Sequence, residues 1–174
     1  MRRNKGRVNW FAFGVAVNLA MGIGGLLALV APARTQPRQS NSIPMFENVT
    51  ISPEFTPDPL TVRGLSGGMV ASEATAGRDD TPTGPCVGFV DEKPDHTIDL
   101  TSFFKYLSFR VKSSADTVLV VRGPGGSWCN DDYTDMNPGI AGQLMSGTYE
   151  IWVGSYKTNN YHPYVNRITD TPDP

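Results

Sequence analysis

Short runs in which apolar and polar residues alternate occupy most of this chain, and a period of two predicts strands. From Phe104 to Lys112, Leu107, Phe109 and Val111 share one face, while Tyr106, Ser108 and Arg110 share the other. Tyr149, Ile151 and Val153 alternate with Thr148, Glu150 and Trp152, between Gly147 and Gly154. Val118 to Val121 is an unbroken β-branched-rich run, stopped by Gly-Pro-Gly-Gly at 123–126. Shorter strand signals lie at 60–63, 69–71, 86–90, 97–101 and 161–168. The last of these is expected near a sheet edge, because Pro163 cannot donate a ladder hydrogen bond. Gly64 to Gly68 predicts a turn, and Ser72 to Pro85 a polar surface loop. No segment after residue 40 sustains a helical period. The expected fold is all-β: an antiparallel β-sandwich over residues 59–168.

The first 33 residues have a different pattern. Arg2, Arg3, Lys5 and Arg7 form a basic start, Val8 to Val30 is apolar apart from Asn9 and Asn18, and Ala31-Pro32-Ala33 places small residues at a cleavage site. This is the layout of a secretory signal peptide. Trp10 to Val30 is also long enough to cross a bilayer, so an uncleaved membrane anchor is the alternative. Both place the remainder outside the cytoplasm, secreted or periplasmic in one case and membrane-anchored in the other. Residues 34–58, with prolines at 37, 44, 53 and 57, predict an extended, disordered linker, and 169–174 a fraying tail.

Composition sharpens this picture. Only 18% of the residues are charged, against 18 glycines and 14 prolines, which suits short strands and tight turns. All 17 acidic residues lie beyond residue 33, against 11 of the 15 lysines and arginines, so the exported part is acidic and has no electrostatic reason to bind nucleic acid. Two cysteines, Cys86 and Cys129, in an exported chain predict one disulfide. Metal ligation is the rival, but neither cysteine has a ligand-spaced partner.

Three clusters offer chemistry. The acidic loop between the last strong strands holds Asp131, Asp132, Asp135 and Asn137. Their oxygens suit calcium, yet Asp and Asn also favour turns by bonding their own backbone. Gly64-Leu65-Ser66-Gly67-Gly68 fits the G-x-S-x-G nucleophile pattern, and Asp95, His96 and His162 could complete a triad. That motif needs a strand before it and a helix after it, and GGMVASEATAG opens a helix poorly, so a glycine turn is the plainer reading. Trp128, Trp152, Tyr133, Tyr156 and Tyr161 gather around the acidic loop and the last strands. If Tyr149, Ile151 and Val153 face the core, Trp152 faces outward or into a second layer. An exposed aromatic platform would stack on sugar rings.

From Cys86 to Ile168 the order of motifs resembles the bacterial pre-peptidase C-terminal domain: DHTIDLTSF, YLSFRVKS, DTVLVVRGPGG, CNDD, GTYEIWVGSY and a closing strand. The resemblance implies a jelly-roll-like sandwich, a non-catalytic accessory role beside exported enzymes and, in some members, bound calcium. Residues 59–85 carry no such resemblance. The combined expectation is an exported, disulfide-stapled β-sandwich module that binds or stabilises at the cell envelope, with an envelope protein or glycan as partner. A lectin-like carbohydrate-binding module and a small serine hydrolase using Ser66 are the alternatives.

Overall fold

A computed structural model describes residues 45–172. Residues 1–33, expected to be a signal peptide or membrane anchor, the expected linker as far as residue 44, and residues 173–174 lie outside the described part. The elements are β1 (Val49–Ile51), β2 (Leu60–Ser66), β3 (Val70–Ala71), α1 (Ser72–Ala76), β4 (Asp80–Thr81), β5 (Gly84–Pro85), β6 (Phe89–Val90), β7 (His96–Leu100), β8 (Phe104–Ser113), β9 (Thr117–Gly123), β10 (Gly126–Asn130), β11 (Gly139–Leu144), β12 (Gly147–Ser155) and β13 (His162–Thr169).

Two main sheets form the sandwich. One has four strands in the order β11-β8-β13-β2. The other has seven strands centred on β12, which pairs with β7 and β6 on one side and with β9 on the other; β10 continues beyond β9. The alternation read from sequence sets the inner faces. Leu107, Phe109 and Val111 of β8 meet Tyr149, Ile151 and Val153 of β12 in one apolar core, joined by Ile98, Leu119, Val121 and Ile168.

β9 is buried on both faces, which its unbroken apolar run anticipates. Leu119 and Val121 enter the core between the sheets, whereas Val118 and Val120 join a second cluster behind the seven-stranded sheet. That cluster contains Trp152, Val90, Ala76 and both cysteines. Cys86 and Cys129 are bonded, with Cα atoms 5.1 Å apart and 43 positions between them in sequence. Closing a loop of that length stabilises by about 4 kcal/mol in the chain-entropy account.

Four boundaries differ from expectation. Val49–Ile51, placed in the linker, is a strand that pairs parallel with β7, so the sheet is not wholly antiparallel. Its signal is only three residues long, but Ile51 is buried in the core, which repays the ordering of this segment. The turn at 64–68 is shorter than predicted: β2 runs through Ser66, and only Gly67 and Gly68, at φ 125° and 142°, turn the chain. The surface loop at 72–85 contains α1 and the β4–β5 hairpin, with Ser72 and Ala76 buried. The tail is held through Thr171: the Glu54 amide donates to the Asp170 carboxylate (2.6 Å), and the Thr171 hydroxyl donates to Asp58 (2.8 Å).

β13 is also an interior strand rather than an edge, lying between β8 and β2. Pro163 is tolerated because the β8 ladder starts only at Tyr164, while the Pro163 carbonyl, on that same side, accepts from the Ser113 hydroxyl at 3.0 Å. The missing N–H therefore removes no ladder bond.

Candidate functional site

The groups of the hydrolase pattern lie at one end of the interior; Ser66, Asp95 and His96 are each engaged elsewhere, while the buried Nε2 of His162 meets no hydrogen-bond partner among the described residues. Ser66 ends β2 facing inward, fully buried, with its hydroxyl 2.9 Å from that of Ser155 at the end of β12. His162 is its cross-strand neighbour, yet the serine hydroxyl bonds Ser155. Asp95 accepts the Val153 amide at 2.7 Å. His96 lies 2.9 Å by Nδ1 from the Glu47 carbonyl. A carbonyl only accepts, so Nδ1 carries the proton and Nε2 accepts from the Tyr164 hydroxyl at 2.7 Å. Gly64 makes room for that tyrosine: an added Cβ there would sit 2.5 Å from the Tyr164 hydroxyl.

Burial dominates the electrostatics of this end. It pushes the Asp95 carboxyl up to about 7, against the pull of the Val153 amide and with a push from Asp91. It holds His96 below the ordinary imidazole value, although the Glu47 carbonyl acts the other way. It raises the Tyr164 phenol, and the Asp95 charge adds to that. The triad sketched from Ser66, Asp95, His96 and His162 is thus not assembled. Gly67 and Gly68 lead into β3, not into a helix following the serine.

The acidic loop is a tight turn. The Asn137 carbonyl accepts from the amides of Tyr133 and Thr134, each at 3.0 Å, and its own amide donates to the Thr134 carbonyl at 3.0 Å. The Asn137 side-chain oxygen accepts from the Ser113 amide at 2.7 Å. Asp135 takes the left-handed position, φ 53°. Among the described residues no three His, Cys, Asp or Glu side chains are grouped to hold a metal ion. Asp131, Asp132 and Asp135 thus do not converge as a three-carboxylate group. Instead, Asp132 and Asp131 act on Asp116, whose carboxyl is raised first by burial and then by their charges.

The aromatic residues do not form one platform. Trp152 is 2% exposed, within the cluster behind the seven-stranded sheet. Trp128 is half-buried, its ring 6.2 Å from that of Tyr149. Tyr133, Tyr156 and Tyr161 are each about half exposed, and Tyr133 carries the Arg110 guanidinium 3.4 Å from its ring centre.

The outer face of the four-stranded sheet is built differently. Register places Arg63, Val165 and Lys112 in one row across β2, β13 and β8, and Thr61, Arg167 and Arg110 in the next. Two grooves lie on this face, of about 700 and 580 Å³. Both are bordered by Lys112 and Val165; Arg63, Ser113 and Ser114 line the first, and Arg110, Arg167 and Tyr133 the second.

No protein-family model matches the chain, and no curated protein matches it. Among solved structures it is similar to the pre-peptidase C-terminal domain of a collagenase from Bacillus anthracis. That likeness has 13% identity and a TM-score of 0.42, and covers 71% of this chain and 95% of that one. It is also similar to PliG, a periplasmic inhibitor of g-type lysozyme from Aeromonas hydrophila, with 16% identity, a TM-score of 0.36, and 71% and 96% of the two chains covered. The first is a domain of the type that the motifs of residues 86–168 resemble.

Residue patterns had singled out Ser66, the acidic loop and the aromatics, but not the basic face. Its signal is present in the alternation: Arg63, Arg110, Lys112 and Arg167 all fall on the outward phase of their strands. Which strands are neighbours, and hence that these cations share a face, is absent from any local pattern.

Proposed function

We propose that residues 45–172 form a non-catalytic binding or stabilising module of an exported protein, acting at the cell envelope. One observation carries the reading: Ser66, Asp95 and His96, the groups a hydrolase would use, are buried and hydrogen-bonded to Ser155, the Val153 amide, and Glu47 with Tyr164. A nucleophile needs an adjacent base and access to substrate; here each group ties one strand to another. The disulfide supports export, since such bonds persist in oxidising compartments. An envelope protein or glycan is the partner class.

Cell fractionation of the producing organism, with alkylation of free thiols and mass measurement of the mature chain, tests this reading. The expected result is an envelope or secreted protein with no free thiol. A cytosolic chain with both thiols reduced, or labelling of the wild type but not of Ser66→Ala by a serine-directed phosphonate, would overturn it.

A further inference from the structure

We infer that a groove between the C-terminal tail, residues 53–54 and the start of β8 binds an uncharged oligosaccharide. The inference rests on reading the chain as a binding module, and it chooses glycan from the two partner classes.

The groove encloses about 480 Å³ and lies at the opposite end of the sandwich from Ser66. Phe103 lines it and is 49% exposed, although a ring of that size gains most when buried. Tyr106 lines it half-buried, and Pro53 and Pro172 add further apolar surface. A sugar ring has an apolar C–H face and a rim of hydroxyls, so it stacks on an exposed ring that has hydrogen-bonding groups around it.

The polar groups decide the charge of the ligand. Glu54, Lys105 and Asp170 line the same groove. Lys105 counts against a cationic ligand, and the two carboxylates count against an anionic one. A neutral polyol uses all three, because carboxylates accept from its hydroxyls and an ammonium donates to them. Asp170 is held in place for this. Its carboxylate accepts from the Glu54 amide at 2.6 Å, and a carboxylate has about four lone-pair sites. Thr171 and Pro172 are exposed, so this bond and that of Thr171 to Asp58 fix the tail where apolar burial does not. Ordering a tail costs conformational entropy, and what this one forms in return is the groove wall.

A proline-rich peptide would pack among several exposed rings. Here Phe103 alone stands clear among the rings of the groove, since Tyr106 is half-buried and Phe104 is 1% exposed. One platform with donors and acceptors around it matches one stacked sugar ring.

The test is titration calorimetry of the full chain with cellohexaose, whose all-equatorial rings leave their C–H faces unobstructed. Hexagalacturonate and hexalysine serve as charged comparators. The expected result is binding of cellohexaose that stays within about two-fold between low and high salt, with weaker binding of both comparators. Phe103→Ala should weaken it at least about ten-fold. Lys105→Ala should weaken it about three-fold. Tyr156→Ala, which removes an exposed ring outside the groove, should leave it within about two-fold. Should Phe103→Ala fail to melt cooperatively, Lys105→Ala carries the test. Absence of cellohexaose binding, indifference to the Phe103 and Lys105 changes, or tighter binding of either comparator would overturn the inference and leave the module reading standing. Cleavage of the cellohexaose would overturn the module reading itself.

Discussion

The two sheets turn their inner faces to one core but treat their outer faces in opposite ways. Behind the seven-stranded sheet, Trp152, Val118 and Val120 are covered by α1, and the disulfide joins Cys86 to Cys129 of β10 in the same cluster. Polar clasps hold that cover. Ser127 donates to the Ala76 carbonyl at 2.8 Å, Thr83 donates to the Cys129 carbonyl at 2.8 Å, and Arg122 lies over the Trp152 ring while paired with Glu150 at 2.7 Å. Among the described residues no such layer covers the outer face of the four-stranded sheet, which carries cations and grooves. One outer face serves stability through its apolar cover, and the other carries charge on β2, β8 and β13. A module of this size can separate the two because each sheet needs only one apolar face to fold.

The contrast is sharpest where the expected effects are largest. Replacing both cysteines by serine should cost about 4 kcal/mol of unfolding free energy, measured by urea titration. A loss under about 1 kcal/mol would mean that the covered face does not depend on its staple. Next comes Asp95, in the interior shared by both sheets. Its folded-state carboxyl is raised to about 7, from 3.8, so the stability it contributes is fully present below pH 4 and is lost as pH rises to 7. His96, lowered by burial, works the other way, losing stability as pH falls below its unfolded value. Asp95→Asn removes only the first effect. Stability of the variant relative to wild type should therefore rise between pH 4 and 7, by on the order of 2–4 kcal/mol, and level off above. A constant difference across that window would show that Asp95 is not held protonated by burial.

Tyr164→Phe should cost about 1–2 kcal/mol by leaving His96 Nε2 without its donor. His96→Phe in the same background should then add less than it does alone, as a double-mutant cycle would report. On the open face, Lys112→Glu should move stability by no more than about 0.5 kcal/mol. A larger loss would make that face structural and erase the contrast. The smallest effect is expected from calcium: with Asn137 committed to the Ser113 amide, melting temperatures in saturating calcium and in chelator should agree. A rise of several degrees would require the turn to rearrange around an ion.

Local pattern carried much of the sandwich. The alternation in β8 and β12 named the residues of the inner faces, and the unbroken run in β9 marked a strand with two apolar neighbours. The cysteine pair was legible because two cysteines in a chain expected to be exported leave one intramolecular bond. Where expectation failed, the cause was a contact distant in sequence. Val49–Ile51 has too few residues to signal a strand, yet pairs with β7 some fifty positions away. Ser66 looked like a nucleophile in G-x-S-x-G, but its partner Ser155 lies 89 positions away. Trp152 was assigned correctly to the face opposite Tyr149, but whether that face met solvent or a second layer depended on α1 and the disulfide.

By itself, the order of residues determined the strand periods, the faces they present, and the identity of the sulfur pair, because these follow from chemistry repeated every two positions or counted over the whole chain. Only the tertiary structure decided which outer face is sealed and which carries the cations. Sheet neighbours are chosen by packing between segments far apart in the chain, and no local period records that choice.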